Sequence, residues 1–339
     1  MNFMTDRVFY IVCPAQVYTG GPLAQHQLAK NLIELGQDVF MYYYPNNLED
    51  PVHPNFIDYK IPHDSKIIDS DKSVVIMPEV ETKFVFDLKQ AKKVIWWLSI
   101  DNYLFFTVKE PIVSFKKLLK NILFKLKVRL GLVTFFDIDN KQHVEKEVIH
   151  LAQSKYAFDF LNKLGLNPNY LHCHLLDHFY QQNTDFNPER ENRVLYNPKK
   201  GKKFTDQIIS KSNSEKQFCK IENLTPFGVK ELLKTSKIYI DFGDHPGRDR
   251  FPREAAICGC VIITGKKGSA LNVTDINIPD EYKFEDVESN VSEINELIKT
   301  IFDDYITHFN NQSEYRKAIL KEKQIFDNEV RNLIDIASN

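Results

Sequence analysis

The stretch Asp241–Gly259 reads D-F-G-D-H-P-G-R-D-R-F-P-R-E-A-A-I-C-G and lies between the apolar runs Lys237–Asp241 and Val261–Thr264. Short apolar runs of this kind are typical of buried parallel strands. Pro252 suits the first turn of a helix between them, which places Glu254 in that turn. Because α/β proteins bind anionic ligands where strands end and helices begin, the pattern predicts a binding loop before Pro252.

The composition is typical of a globular protein with two domains. The chain has 339 residues, which suits two domains of roughly 150 residues each. Its net charge of −2 argues against a nucleic-acid partner, because such proteins are basic. The odd number of five cysteines favours a reducing cytoplasm. No basic leader or long apolar run is present, so we expect neither a signal peptide nor a membrane span.

The N-terminal half opens with a β-loop-α-β pattern. Arg7–Cys13 predicts a buried strand, Gly20 and Gly21 predict a tight turn after it, and Gly36 ends the helix that follows. The next strand is predicted at Asp38–Tyr44. Further strands are predicted at Ser73–Met77, Lys93–Leu98 and Val148–Ala152, with a helix at Ser154–Leu164 that its serine caps. This order favours a doubly wound sheet.

A second alternation of strands and helices follows the polar segment Thr184–Asn192, where we place a domain boundary. Its predicted strands are Arg193–Tyr196, Gln217–Ile221, Lys237–Asp241 and Val261–Thr264, and its predicted helices are Thr205–Lys211 and Pro226–Thr235. A long amphipathic helix is predicted for Ser313–Ile336. The expected fold class is α/β, with two Rossmann-like domains at 1–185 and 186–310 and a C-terminal segment at 311–339.

Two motifs resemble those of a known enzyme family. Thr19–Val39 (T-G-G-P-L-A-Q-H-Q-L-A-K-N-L-I-E-L-G-Q-D-V) is similar to a G-G-x7-L-A-x2-L-x3-G-H-x-V opening. Pro252–Thr264 (P-R-E-A-A-I-C-G-C-V-I-I-T) is similar to an E-A-x-A-x-G-x-P-V-I-A-T element. The chain thus resembles the GT-B glycosyltransferases, most of all the family 4 group of bacterial surface-polysaccharide enzymes. It departs from them at Pro246, where the first glutamate of an E-x7-E pair would stand, and at Cys260, where proline is common.

The resemblance implies two Rossmann-like domains that face a cleft and a C-terminal helix that crosses back to the first domain. It implies transfer of a sugar from a nucleotide-sugar donor, held by 186–310, to a glycan or lipid-linked acceptor, held by 1–185. Capsule, O-antigen or lipopolysaccharide would be the product, with no cofactor and no metal. A nucleotide-sugar epimerase on the same fold and a non-catalytic nucleotide-sugar-binding or glycan-binding subunit are the alternatives.

Residues 245–254 supply most of the candidate donor-binding and catalytic groups. Glu254 would accept hydrogen bonds from a ribose, the role that the resemblance gives it, or would merely favour the helix dipole. His245 could contact the transferred sugar or the leaving phosphate, or lie on the surface. Guanidinium forks and glycine amides suit a diphosphate, although the arginines could instead pair with Asp244 and Asp249. The diphosphate candidates are Gly247, Arg248, Arg250 and Arg253.

Other candidates follow strand ends elsewhere. The donor-binding candidates Asn197, Lys199 and Lys200 lie after the first strand of the second domain. The lysines could neutralise donor phosphate, or this segment could be a solvated loop. In the first domain, Gly20 and Gly21 would let the backbone approach a substrate. Asp101 is the catalytic base candidate for an inverting reaction, with Glu79 as a second acid; the alternative for Asp101 is a helix cap. His26 could face the cleft or be packed.

Histidine and cysteine patterns do not predict a metal. His172, Cys173, His174 and His178 form a local cluster, but no second Cys/His pair stands at a zinc-type spacing. Cys258-Gly259-Cys260 is shorter than the usual C-x2-C loop. We therefore expect no metal site.

A basic amphipathic helix is predicted at 115–132 (F-K-K-L-L-K-N-I-L-F-K-L-K-V-R-L-G-L), which contains no acid. Its cations are Lys116, Lys117, Lys120, Lys125, Lys127 and Arg129, and Leu118, Leu119, Ile122, Leu126 and Leu130 recur near helical spacing. Such a helix suits the surface of an anionic bilayer, here the cytoplasmic face of the inner membrane. The alternative is a core-packed helix with a lysine face. No aromatic stacking platform accompanies the lysines, which argues against nucleic acid.

Overall fold

The computed structural model describes residues 7–109, 115–180, 189–212 and 217–338, with the backbone alone for 115–118. The chain forms two compact units, Met1–Cys173 with Ile325–Asn339 and His174–Gln324. Leu175 belongs to the second hydrophobic core, so the boundary follows Cys173 rather than residue 185. Tyr315 belongs to the same core, so the return to the first unit begins at Ile325 rather than at 311. The predicted boundary segment Thr184–Asn192 lies partly outside the described residues.

The first unit contains a six-stranded parallel sheet in the order β2-β1-β3-β4-β5-β6. Its strands are β1 Val8–Pro14, β2 Asp38–Tyr44, β3 Ser73–Pro78, β4 Lys92–Trp97, β5 Ile149–Ala152 and β6 Asn169–Tyr170. Alternate side chains of β1 enter two cores: Phe9 and Ile11 pack on one face, and Tyr10 and Val12 on the other. Both faces are therefore covered, as a parallel sheet requires.

Within the described residues, helices lie between the strands of this sheet along the chain. They are α1 Gly20–Glu34, α2 Phe84–Asp87, α3 Ile100–Phe106, α4 Phe115–Arg129, α5 Lys141–Val144 and α6 Lys155–Lys163, with a 3₁₀ segment at Pro54–Tyr59. Gly36 adopts a left-handed φ of 80° after α1, as the sequence predicts for a helix end. Ser154 caps α6, because its hydroxyl accepts from Ala157 N–H at 3.1 Å. The predicted turn at Gly20 and Gly21 is wrong, since both residues lie in α1.

The second unit contains a five-stranded parallel sheet in the order β11-β10-β9-β7-β8. Its strands are β7 Glu191–Tyr196, β8 Phe218–Lys220, β9 Ser236–Asp241, β10 Val261–Gly265 and β11 Lys283–Phe284. Its helices are α7 Asp177–Tyr180, α8 Lys202–Ser210, α9 Pro226–Thr235, α10 Arg250–Ile257, α11 Val291–Asp303, α12 Tyr305–Asn311 and α13 Ser313–Leu320. The helix predicted at Thr205–Lys211 begins earlier, at Lys202.

The last helix, α14 Glu322–Ser338, begins in the second unit and continues in the first. Its residues Phe326, Val330, Leu333 and Ala337 recur at three-to-four spacing and pack in the core beside β1. The expected return of the C-terminal helix to the first domain is therefore confirmed. The single helix predicted for Ser313–Ile336 is interrupted at Lys321, because its two parts are buried in different cores.

Across the described residues, no helix combines the length and the apolar character that crossing a membrane would require.

Truncation of Gln312 tests how α12 and α13 are joined to the sheet. The Gln312 carboxamide is buried, donates to Ile262 O and accepts from Ile262 N–H, both at 2.8 Å. Gln312→Ala would leave both β10 groups buried without this partner, so we expect a loss of about 2–4 kcal/mol in the free energy of unfolding, measured in urea. Asn310→Ala, an exposed truncation nearby, is the control. Equal stability of the two variants would contradict this role.

Candidate functional site

The loop between β9 and α10 is shaped by contacts that only glycine permits. Gly243 has a φ of 97° and lies against Gly201. A Cβ added to Gly201 would lie 2.2 Å from Phe242 O. A Cβ on Gly268 would lie 2.1 Å from His245 O. These glycines let the loop pack against the start of α8 and against the 3₁₀ turn Gly268–Leu271.

A largely buried lysine, Lys200, packs against this loop from the segment before α8. The Lys200 ammonium is 2.9 Å from Asp241 Oδ1, 2.5 Å from Asp249 Oδ2 and 3.0 Å from His245 Nδ1. His245 is completely buried, and its Nε2 lies 3.3 Å from Thr264 Oγ1. The surface position considered for His245 is therefore wrong. A charge removed from water needs partners of opposite sign, and the two carboxylates supply them for Lys200.

Burial and the neighbouring charges have opposite effects on the pKa values of Asp241, Asp249 and Lys200. Burial raises the pKa of Asp241, and the neighbouring Lys200 only partly offsets that effect. Burial also acts to raise the pKa of Asp249, but the His245 hydrogen bond and the Lys200 charge bring it below its ordinary value. Burial alone would lower the pKa of Lys200, yet the two carboxylates raise it. Lys200 therefore stays a cation at neutral pH.

Asp241, His245 and Asp249 also have the spacing of a metal set, with ligand atoms within 4.8 Å of one another. The Lys200 ammonium already lies among these atoms. Elsewhere in the described part of the chain, the predicted histidine cluster does not form a metal set. His172 pairs instead with Glu329 at 2.7 Å, and the His174 ring donates to Leu175 O.

Two of the three candidate arginines contact a residue that the sequence does not single out. Arg253 is 1% exposed and its Nη1 lies 2.8 Å from Glu322 Oε2, while Arg248 Nη2 lies 2.9 Å from Glu322 Oε1. Tyr180 OH also donates to Glu322, at 3.3 Å. The pairing with Asp244 and Asp249 considered from the sequence is wrong for these two arginines. Glu322 lies about 70 residues further along the chain, so no local pattern could reveal it.

Glu254 and Arg250 lie on α10, on the side of the loop. The helix begins at Arg250, so Pro252 is its third residue and lies in the first turn as predicted, whereas Glu254 is its fifth residue and lies just beyond that turn. Pro252 still costs little there, because the first four N–H groups of a helix have no partner within it. Glu254 is 7% exposed, with Arg250 Nε 4.0 Å from its Oε1. Burial raises the pKa of Glu254, while Arg250 and Arg253 lower it.

The remaining second-unit candidates lie at the start of α8. Gly247 is buried in the loop, and its carbonyl accepts from the Ser269 hydroxyl at 2.6 Å. Asn197 Oδ1 accepts from Lys199 N–H at 3.0 Å, and Lys199 is exposed. The second unit thus brings together most of the donor-binding candidates, with the largely buried Lys200 among them.

The first unit holds Asp101 beyond the carboxyl end of β4 and His26 inside α1. Asp101 is the second residue of α3 and accepts from Tyr156 OH at 2.9 Å. The capping role considered for Asp101 is wrong, because Ser99 caps this helix. His26 is packed: its ring stacks on Phe56 at 3.8 Å, and burial lowers its pKa to about 4.

Glu79 is the buried acid at the end of β3. It is 4% exposed, and its Oε2 accepts from Leu98 N–H at 3.0 Å. Burial raises the pKa of Glu79 to about 8, although the surrounding N–H groups lower it. A carboxyl group with such a pKa near neutral pH suits proton transfer.

Helix α4 exposes those of its leucines whose side chains are described, from Leu119 onward. Leu123 is 50% exposed and Leu130 is 63% exposed, and Leu119, Ile122 and Leu126 are similarly exposed. The core-packed alternative for this helix is therefore wrong. Of the predicted membrane cations, Lys120, Lys125, Lys127 and Arg129 are exposed, whereas the side chains of Lys116 and Lys117 lie outside the described residues.

Solved glycosyltransferases share this fold over nearly the whole chain. A glycosyltransferase from Rickettsia africae gives a TM-score of 0.63 at 13% identity, covering 98% of this chain and 97% of its own. HepE from Anabaena in complex with UDP-glucose gives 0.61 at 12%, covering 97% and 99%. WaaG, a glycosyltransferase involved in lipopolysaccharide biosynthesis, gives 0.59 at 10%, covering 94% and 98%.

These structures confirm the α/β GT-B fold. No family model matches the sequence, and no curated protein matches it. The specific resemblance to the family 4 group stays a prediction.

The pKa of Glu79 predicts how stability depends on pH. The folded protein holds a proton on Glu79 up to about pH 8, whereas the unfolded chain releases it near 4.5. Between these values the folded state binds more protons, so stability falls as pH rises, by up to about 4 kcal/mol. We expect Glu79→Gln to flatten this decline in urea unfolding at pH 5 and pH 8.5, and Glu81→Gln to keep it. A Glu79→Gln variant with the wild-type pH slope would disprove the assignment.

Proposed function

We propose that the protein is a glycosyltransferase that moves a sugar from a nucleotide-sugar donor to a glycan or lipid-linked acceptor of a bacterial surface polysaccharide such as capsule, O-antigen or lipopolysaccharide. The observation that carries the proposal is a partly exposed arginine beside a buried glutamate on α10, directly after a glycine-shaped loop. Likeness to HepE, solved with UDP-glucose, and to WaaG, of lipopolysaccharide biosynthesis, supports it.

The donor is proposed to bind in the second unit. Glu254 accepts hydrogen bonds from the ribose, because a buried carboxylate with its nearest guanidinium at 4.0 Å keeps acceptor capacity. Arg250 and the amides around Gly247 contact the diphosphate, while Lys200 supplies positive charge beneath it. Arg248 and Arg253 act differently from the sequence prediction: their contacts to Glu322 hold the start of α10 in place.

Catalysis is proposed to rest on orientation and on stabilising the departing diphosphate, without a metal or cofactor. The position of Lys200 supports metal independence, because its ammonium supplies a positive charge among the three side chains that could hold a metal. Asp101 or Glu79 takes the proton of the acceptor hydroxyl. Both lie beyond carboxyl ends of strands in the first unit, the edge where open α/β sheets bind ligands.

Attachment of α4 to the cytoplasmic face of the inner membrane completes the proposal. Half-exposed leucines beside four exposed cations form the pattern of a helix that lies in a bilayer interface. Each cation adds about 1 kcal/mol of attraction to an anionic surface. Such attachment brings the enzyme to a lipid-linked acceptor.

Donor binding can be tested with Glu254→Gln. We expect one of the UDP-, GDP-, CMP- or ADP-linked sugars to stabilise the wild type in a thermal-shift screen, by about 2.7 kcal/mol at 100 times its dissociation constant. Loss of the charged acceptor should raise that dissociation constant at least roughly tenfold. Glu293→Gln, which changes an exposed first-turn glutamate of α11, is the control.

Turnover separates the proposal from its alternatives. Sugar transfer to a membrane extract in the presence of EDTA supports a metal-independent transferase. Epimerisation of free donor would indicate the epimerase instead. A wild type that binds the donor through Glu254 but never turns it over would indicate the non-catalytic subunit. Absence of any nucleotide-sugar binding would reject all three.

Membrane attachment can be tested with Leu123→Ser/Leu126→Ser. Removing two half-exposed leucines should lower binding to phosphatidylglycerol vesicles at least roughly tenfold, because each leucine transfers apolar surface out of water. Wild-type binding should also weaken as salt rises. Cosedimentation measures both effects, with Leu320→Ser on α13 as the control. A wild type that does not sediment with these vesicles would contradict the proposal.

A further inference from the structure

Two cavities adjoin beneath α4. The larger, about 480 Å³, lies between α4 and the segments 107–109 and 135–139. The smaller, about 280 Å³, extends to Glu79 after β3. Thr107, Phe124 and Phe135 line both cavities, so together they form one slot, which we call the α4 slot. The slot therefore connects the basic helix with the edge of the sheet that carries Glu79.

One face of α4 belongs to the slot and another faces outward. Asn121, Phe124, Lys125, Val128 and Arg129 line the slot, and their spacing of three and one residues places them on a single helical face. Asn121 fixes this orientation, because its side chain donates to Val108 O at 2.9 Å. The exposed residues Leu119, Ile122, Leu123, Leu126 and Leu130 are not among the slot residues.

The charges of the larger cavity favour an anion. The larger cavity has two carboxylates, Asp137 and Asp139, and both pair with Lys109, at 2.7 Å in the case of Asp137. In the smaller cavity, Glu81 pairs with Lys83 at 2.8 Å. Lys125 and Arg129 are exposed, and neither forms an ion pair with another described residue. They lie one turn apart, where like charges repel by about 0.2–0.5 kcal/mol unless an anion lies between them. An ammonium group and a guanidinium group side by side bind phosphate well.

The rest of the lining favours an apolar chain attached to that anion. Phe124, Val128 and Phe135 line the larger cavity, and Phe106, Leu132 and Val133 line the smaller one. The two cations lie beside apolar side chains, so the lining suits an amphiphile with a phosphate head better than a free sugar or free phosphate.

We propose that the α4 slot binds the lipid phosphate of a lipid-linked acceptor, with Lys125 and Arg129 contacting the phosphate and Phe124, Val128 and Phe135 contacting the lipid chain. This inference rests on the proposed glycosyl transfer and names its acceptor class. The acceptor sugar then extends towards Glu79, at the sheet edge where ligands of α/β proteins bind. The outward leucines of α4 hold the slot at the membrane surface from which such a lipid enters.

The test uses farnesyl phosphate, a soluble lipid phosphate, with full-length protein and isothermal titration calorimetry. Wild type should bind farnesyl phosphate at least tenfold more tightly than farnesol or inorganic phosphate. Lys125→Gln/Arg129→Gln should weaken this binding at least tenfold. The matched control, Lys120→Gln/Lys127→Gln, removes two charges from the same helix at positions that do not line the slot, and should change it less than twofold.

Four results would overturn the inference: no binding of farnesyl phosphate by the wild type, equal losses in the two double variants, equal affinity for farnesol, or equal affinity for inorganic phosphate. Equal losses would mean that the basic surface alone attracts the phosphate. Nucleotide-sugar binding by the same proteins is measured in parallel and should be unchanged in both variants. A wild type that binds farnesyl phosphate but no nucleotide-sugar would refute the proposed function without refuting the slot, whereas the reverse result would refute only the slot.

Discussion

The largely buried ion pairs of the Lys200 ammonium are the interaction on which the second unit depends most. Its partners Asp241, His245 and Asp249 come from the end of β9, the following loop and the residue before α10, so one charge joins three parts of the chain. Removing one member of a buried pair typically costs 3–5 kcal/mol, because the other charge is left without compensation. The loop geometry, including the close approach of Gly201 to Gly243, therefore has a strong electrostatic reason to persist without a ligand.

A second network explains why Arg248, before α10, and Arg253, on α10, have a structural role rather than the predicted role in diphosphate binding. Glu322 accepts from both Arg248 and Arg253, and Tyr180 donates to the same carboxylate. Tyr180 OH also accepts from Leu175 N–H at 2.9 Å. This network joins α10 to the two segments of the second unit that lie next to the unit boundary, one after Cys173 and one before Ile325. Arginine suits this position because its planar fork donates several hydrogen bonds in fixed directions.

The sequence predicts what depends on local periodicity and fails where partners are distant. The apolar runs of β1, β9 and β10, the Gly36 helix end and the Ser154 cap follow from neighbouring residues, and the structure has them. The start of α10 is displaced by two residues because proline is tolerated anywhere in a first turn. Glu322 and the inward position of Lys200 could not be predicted, since each depends on residues at least 40 positions away. Whether the leucines of α4 face the core or solvent could not be predicted either. Helical periodicity defines an apolar face, but it does not show what packs against that face.

Helix α4 combines two features that are unfavourable in water. Several large apolar side chains are half exposed, and its cations have no acidic residue on the helix to offset their mutual repulsion. A protein partner with an apolar surface would cover the leucines but leave the cations unpaired, and a polyanion would pair the cations but leave the leucines in water. An anionic lipid surface relieves both at once, since the headgroups neutralise the cations while the leucines enter the acyl boundary. The slot face of the same helix also combines cations with apolar side chains, with Lys125 and Arg129 beside Phe124 and Val128. This face suits a single lipid phosphate, whereas the outward face suits a lipid surface, so both faces favour a lipid partner.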